Sequence, residues 1–359
     1  MAARDFFLRI SKALGLFRLA RRLRPGGLRI LCYHSVAMED EHTFHPKMFV
    51  SSRTLENRLA FLAGHGFPVL PLGEAMNRLR DGTLPPGATA ITFDDALYST
   101  YRLAWPILQR FSVPATLYVT TYYVAKGAPV FGLLVEYMFW RTGKGSLDVS
   151  GLGLPSSEPI VLTDPASKAR AVEEIVEHGE TRCSEEERGA LARALAERLE
   201  IDYDNLARER RFNLMTPEEI HELDAKGLDV QAHTHRHQFP EDEAAARREL
   251  VDNRALLEPL IGKRLEHFCY PSGFWSERHW PWLASAGFKT ATTCEPGFNY
   301  PETPPLALRR FLDGEHISEL EFEAEMSGYK EMFRRARVRL RRVARRKPIL
   351  SARPALNRP

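Results

Sequence analysis

The stretch ITFDDALYST, residues 91–100, decides how this chain is read: strand-like residues run straight into two adjacent aspartates, Asp94 and Asp95. Ala90, Ile91, Thr92 and Phe93 have the β-branched and aromatic character of a buried strand. Neighbouring carboxylates at the mouth of such a strand repel one another and lose hydration. That costs free energy unless a cation or a shared proton holds them. The plain alternative is a capped turn or helix start with Asp95 as its N-cap. The rest of the chain decides between the two.

A second polar cluster lies in QAHTHRHQF, residues 231–239, where an expected strand at 228–232 ends in His233, His235 and His237. Histidines at i and i+4 in a turn or short helix can point at one centre, and neutral imidazole is a common zinc ligand. A lone histidine reads as structural; three within five residues at a carboxyl strand end are harder to dismiss. In parallel α/β barrels the loops at the carboxyl ends of strands build the active site. One aspartate and two histidines leave a coordination position open for water, as catalytic zinc requires. The second aspartate is then free to act as a base.

Working outward, LRILCYHSV (28–36) predicts a first strand. SSRTLENRLAFLAGHGFPVLPLGEAMNRL (51–79) predicts a helix, a Gly-bounded turn, a short strand at Val69 and Leu70, and a second helix. TAITFDD is the next strand, YSTYRLAWPILQRFSV a helix, and PATLYVTTYYV (114–124) an apolar strand. This alternation argues for a parallel sheet with covering helices, closed into a barrel. From about Gly127 to Arg211 it gives way to charged, helix-favouring sequence, read as an insertion into the α/β body. It then resumes with TPEEIHELDAKG, a helix with a Thr N-cap, Pro at N1 and a Gly stop. LDVQAH, RLEHFCYP and KTATTC follow as strands, with helices in EDEAAARRELVDNRALLEPLIG and HWPWLASAGF between them. The boundaries expected are 1–27 for a basic amphipathic segment, 28–126 and 213–328 for the two barrel parts, 127–212 for the insertion, and 329–359 for an arginine-rich tail.

Composition suits this plan. A chain of 359 residues holds one large α/β domain with additions, or two domains. Hydrophobic content of 44% and charged content of 27% describe an ordinary globular protein. Cys32, Cys183, Cys269 and Cys294 show no paired spacing, so they read as reduced thiols rather than a disulfide framework or zinc ribbon. No apolar run approaches bilayer-spanning length, and the N-terminus lacks the apolar core of a secretory signal. The expected location is therefore the cytoplasm, peripheral on the inner face of the membrane.

The net charge of +3 conceals an asymmetry: residues 1–30 carry +7 and residues 329–359 carry +11, leaving −15 between them. Phe6, Phe7, Ile10, Leu14 and Phe17 recur at helical spacing among Arg and Lys, a pattern that suits an interfacial helix on acidic lipid. The alternative is a helix packed on the protein's own surface. Nucleic acid ranks last as a partner, because no recognised nucleic-acid module accompanies the arginine tail.

TFDDA followed by HTHRH resembles the first two motifs of the polysaccharide deacetylases (carbohydrate esterase family 4, with chitooligosaccharide-deacetylase-like domains), usually TFDDG and His-Ser/Thr-x-x-His. Tyr33–His34, MTPEEIHELDAKGLDVQAHT and FCYPSG also look like members found in bacterial polysaccharide biosynthesis. The resemblance covers about 31–125 and 213–312. It implies an α/β fold, an irregular parallel (β/α) barrel of the polysaccharide deacetylase type, here with a helical insertion and basic helical ends. It also implies a metal-dependent hydrolase removing N-acetyl, or O-acetyl, groups from a sugar or polysaccharide precursor. Asp94 then resembles the catalytic base, and Asp95, His233 and His237 the ligands of one divalent ion, zinc first. Thr234 matches the position that braces the histidine loop. Pro271, Ser272 and Gly273 align with the third motif, where the backbone N–H near Ser272 donates to the oxyanion.

Several residues depart from the family pattern. Ala96 replaces the usual glycine, and Cys269 stands where an arginine often pairs with the catalytic aspartate. The Asp-x-x-Asp-Trp motif and the Leu-x-His motif that supplies the general acid are not visible. His316, His34 and His235 are the candidates for that acid. The missing acid keeps two alternatives open: a carbohydrate-binding pseudo-enzyme of the same fold, and a deacylase or amidase acting on a small non-sugar amide.

Overall fold

The computed structural model describes residues 2–23, 26–154 and 158–345, with side chains described only within 4–337. Two compact units divide the chain: Gly26–Ile317, and Met1–Pro25 with Ser318–Pro359.

Seven strands form the main sheet of the larger unit: β1 (Arg29–Tyr33), β2 (Thr89–Phe93), β3 (Thr116–Val119), β4 (Asp229–Ala232), β5 (His267–Cys269), β6 (Thr290–Thr292) and β7 (Phe311–Leu312). Their spatial order is β6-β5-β4-β3-β2-β1-β7, and every pairing is parallel. Parallel strands joined by helical crossovers are covered on their outer face, which is why the first three are buried along their whole length. Leu308 pairs with Thr292 of β6, and its backbone N–H and C=O bond Ala291 and Thr293 at 2.8 Å each. Three residues later Phe311 pairs with Leu31 of β1. Segment 308–312 therefore touches both edges of the sheet and closes the barrel, with Arg310 at the seam. Within the barrel, Leu28, Ile30, Ala90, Tyr118, Cys269 and Leu308 share one core with Leu72, Ala75 and Leu79 of the helix Leu72–Arg80.

The expected first strand breaks at His34. Ser35–Val36 instead pairs with Phe49–Val50 in a separate two-stranded sheet. The expected strand at 114–124 is shorter than the sequence suggests: pairing ends at Val119, and Tyr122–Lys126 is helical. An apolar run alone does not separate a buried strand from the start of a buried helix.

The insertion is helical over Phe131–Arg141, Pro165–Arg182, Glu185–Leu199 and Tyr203–Glu209, with a short antiparallel ribbon of Ser146–Leu147 and Ile160–Val161. Asp164 and Ser184 start two of these helices with capping boxes. Gly179 admits the Phe131 ring: a Cβ there would lie 2.3 Å from a ring carbon. The insertion leaves and returns at one place, where Pro129 pairs with Asn213 and Val130 N–H donates to Phe212 C=O at 2.8 Å. Past that point the chain runs antiparallel to 96–98. Met215 N–H donates to Ala96 C=O at 2.9 Å, bracing the turn that carries the paired aspartates.

The smaller unit contains helices Ala2–Ala13, Leu16–Leu23, Glu319–Met326 and Tyr329–Arg345. Gly15, at φ 73°, breaks the first two apart. Leu8, Phe17, Ala20, Ala324 and Tyr329 make its core. The end of the arginine tail, residues 346–359, lies outside the described residues. No helix among the described residues is long and apolar enough to cross a membrane.

Candidate active site

Parallel pairing puts the carboxyl ends of the strands at one end of the barrel, so Asp94 after β2 and His233 after β4 emerge on the same side. Asp95 and Ala96 both adopt left-handed backbone, φ 72° and 68°. Left-handed backbone costs an L-residue about 1–2 kcal/mol, a physical reason for glycine to be usual where Ala96 stands. The double reversal turns the two aspartates to different tasks. Asp94 points into the barrel and Asp95 towards the histidines.

Arg310 meets Asp94 end-on, with Nη1 to Oδ1 at 2.7 Å and Nη2 to Oδ2 at 2.8 Å. Both side chains are buried. Arg310 also donates to Thr293 C=O at 2.9 Å and to Thr92 Oγ1 at 3.2 Å, and its Nη2 lies 3.2 Å from Cys269 Sγ. The thiols of Cys32 and Cys269 each lie 3.5 Å from Asp94 Oδ2. Burial pushes the Asp94 carboxyl up, but the Arg310 guanidinium overrides it and brings the group down to about 2. The arginine missing at Cys269 is therefore supplied from the barrel seam. Nothing in LALRRFLDGEH marks Arg310 as interior, because a two-residue strand carries no periodicity.

His233 Nε2 and His237 Nε2 lie 3.3 and 3.4 Å from the same atom, Asp95 Oδ1. That oxygen is buried and has no hydrogen-bond partner. His233 Nδ1 bonds Cys269 C=O at 2.8 Å. A carbonyl only accepts, so Nδ1 carries a proton, and in the neutral ring the Nε2 lone pair faces Asp95. Burial opposes the charged ring, but Cys269 and Asp95 outweigh it and raise the imidazole well above its ordinary value. Burial opposes ionisation of Asp95, yet the nearby His237, His233 and His34 hold its carboxyl well below the usual range. Burial of the ring within the site lowers the His237 imidazole from its ordinary value, although 41% of the side chain is exposed. A proton between Asp95 and His233 would serve one ring and leave the other facing the oxygen unbonded. A cation satisfies all three. The separations also fit one: tetrahedral bonds of about 2.0–2.1 Å imply donor–donor edges of about 3.3–3.4 Å.

The histidine loop is braced from the helix Glu243–Ile261. Asn253 Nδ2 donates towards Thr234 C=O (2.6 Å), Val119 C=O (2.9 Å) and Thr121 Oγ1 (3.2 Å). Glu249 accepts the backbone N–H groups of His235 and Arg236 at 3.0 and 2.7 Å. The backbone of Thr234, at φ 62°, is thus part of the brace, while the bracing side chains are Asn253 and Glu249. The sequence held a signal for both: they interrupt the buried face made by Ala246, Leu250 and Leu257. His235 turns away from the ligands and bonds Thr121 Oγ1 through Nδ1 at 2.9 Å.

His34 is half-buried after β1, within electrostatic reach of Asp94, Asp95 and His237. His316 is exposed, with Nδ1 3.0 Å from Pro46 C=O, and no contact joins it to the ligand cluster among the described residues. Pro271–Gly273 form a tight turn just past β5. Gly273, at φ 72°, is required there because a Cβ would meet Cys294 Cβ at 2.6 Å. Its N–H donates to Tyr270 C=O at 3.0 Å, which leaves the neighbouring Ser272 as the turn's candidate donor.

Comparison with known proteins places similar sequence and fold beside this chain. Residues 191–291 match the family model described as polysaccharide deacetylase, a span that includes the histidine loop and the 271–273 turn but not the aspartates. The chain is 31% identical over 77 residues to a poly-beta-1,6-N-acetyl-D-glucosamine N-deacetylase of Staphylococcus aureus, covering 21% of this chain and 27% of that relative. The match thus spans about a quarter of that protein's length. In fold it is similar to the Streptococcus pyogenes deacetylase PplD in complex with acetate, with TM-score 0.56, 18% identity, and coverage of 84% of this chain and 99% of that one. It is also similar to IcaB from Ammonifex degensii, with TM-score 0.54, 20% identity, and coverage of 85% and 98%.

Proposed function

We propose, from the premise that this chain belongs to the polysaccharide deacetylase family, that it hydrolyses N-acetyl groups on a polymer or oligomer of acetylated amino sugar. The observation that carries the reading is the convergence of Asp95 Oδ1, His233 Nε2 and His237 Nε2 beside an ionised, arginine-held Asp94. The similarity to a poly-N-acetylglucosamine deacetylase supports a β-linked N-acetylglucosamine substrate.

Asp95, His233 and His237 are the residues that would hold a divalent ion, zinc first. Such an ion supplies Lewis acidity, polarising the acetyl carbonyl and making water nucleophilic near neutral pH. Asp94, kept ionised and oriented by Arg310, accepts the proton of the attacking water. The Ser272 N–H donates to the oxygen that gains charge as water adds to the carbonyl carbon. His34, rather than the exposed His316 that bonds Pro46 C=O, delivers a proton to the amine as the C–N bond breaks, so that amide and water become acetate and amine. The contact of Arg310 with Asp94 supplies in space the pairing absent at Cys269.

The test is mass spectrometry of an N-acetylglucosamine oligomer before and after incubation with zinc-loaded protein. Loss of acetyl groups matched by released acetate is expected. Unchanged oligomer, or turnover that persists in Asp94→Asn, would overturn the reading.

A further inference from the structure

We propose that the helices Ala2–Ala13 and Leu16–Leu23 form a docking face for an anionic lipid surface. Each helix has two apolar faces where a simple covering helix needs one. Leu8, Phe17 and Ala20 are buried in the core of their own unit. On the other side Phe6 is 66% exposed and Leu14 70%, with Phe7, Ile10, Leu19 and Leu23 also open. Phe6, Phe7, Ile10 and Leu14 fall on one stripe about 100° wide at 3.6 residues per turn. An apolar stripe of this size left in water implies something that covers it.

Charge says what covers it. The acidic residues of Glu319–Met326 engage bases of the same unit: Glu321 meets Arg4, Glu323 meets Lys12 at 2.5 Å, and Glu325 meets Arg334. Arg9, Arg18 and Arg22 are exposed and have no partner among the described residues. Free guanidinium groups bordering exposed Phe, Leu and Ile match a surface that is negative at its headgroups and apolar beneath. A second copy fits poorly, because a two-fold interface would set the same arginines against each other. Nucleic acid would take the charge but leave the apolar stripe in water.

The test is flotation of the full chain with vesicles of phosphatidylcholine, alone or with phosphatidylglycerol. The wild type should bind the anionic vesicles preferentially and release as salt rises. Arg9→Gln/Arg18→Gln/Arg22→Gln should weaken binding about a hundredfold, from roughly fivefold per arginine. Phe6→Ser/Ile10→Ser/Leu14→Ser should reduce it at least about tenfold, with thermal melting as the check on folding. Should the serine variant misfold, the glutamine variant still decides, since its residues are exposed and unpaired. Absent or lipid-independent vesicle binding would overturn the proposal. So would a wild-type dimer that the serine variant dissociates, or duplex DNA binding in place of vesicle binding.

Discussion

Arg310 and Asp94 form a two-bond ion pair inside the barrel, at 2.7 and 2.8 Å, although 216 residues separate them in the chain. Arg310 stands in the segment that closes the sheet, so the same residue seals the fold and orients the candidate base. Removing one partner of such a buried pair leaves an uncompensated charge and costs about 3–5 kcal/mol. Arg310→Met should lose about that much stability in urea unfolding, and Arg310→Met with Asp94→Asn should lose clearly less than the sum of the single changes. Additive losses would mean the pair is not coupled.

Asp94→Asn tests the base directly. Acetate release should fall by a factor of about 10²–10⁴, as for a positioned general base, while bound metal stays near the wild-type amount. Normal turnover would show that Asp94 is not the proton acceptor. Loss of metal would instead place it among the ligands.

His237 is partly exposed and His233 is buried, although both face Asp95. Truncating His237 to Ala should therefore spare the fold while weakening metal binding more than about a hundredfold, beyond the 10–100-fold typical of changes behind the ligands. Metal analysis after dialysis checks this. Full occupancy in both His233→Ala and His237→Ala would rule out the site.

Asn253 touches no candidate ligand, yet it ties the loop that carries two of them to β3 and its following turn. Asn253→Ala should cost about 1–3 kcal/mol, because it leaves the Thr234 C=O unpaired. It should also lower metal affinity about 10–100-fold. Titration with a chromophoric chelator would measure the second effect; unchanged affinity would restrict Asn253 to stability alone.

By itself the sequence determined what depends on near neighbours. The strand-to-DD transition, the i, i+4 histidines and the Thr216 N-cap could all be read, because their partners lie within a few residues or one local period. The candidate ligands stood out as neighbours for the same reason: Asp95 lies beside Asp94, and His233 lies four residues from His237. Only the tertiary structure decided which arginine reaches Asp94, which helix braces the histidine loop, and which histidine stands beside the ligands. Arg310 follows from Leu308 pairing with β6 while Phe311 pairs with β1, a closure that depends on the curl of the whole sheet. His34 and His316 look alike as isolated histidines. They separate because His34, after β1, lies within electrostatic reach of Asp95, whereas His316, after β7, turns to Pro46 C=O.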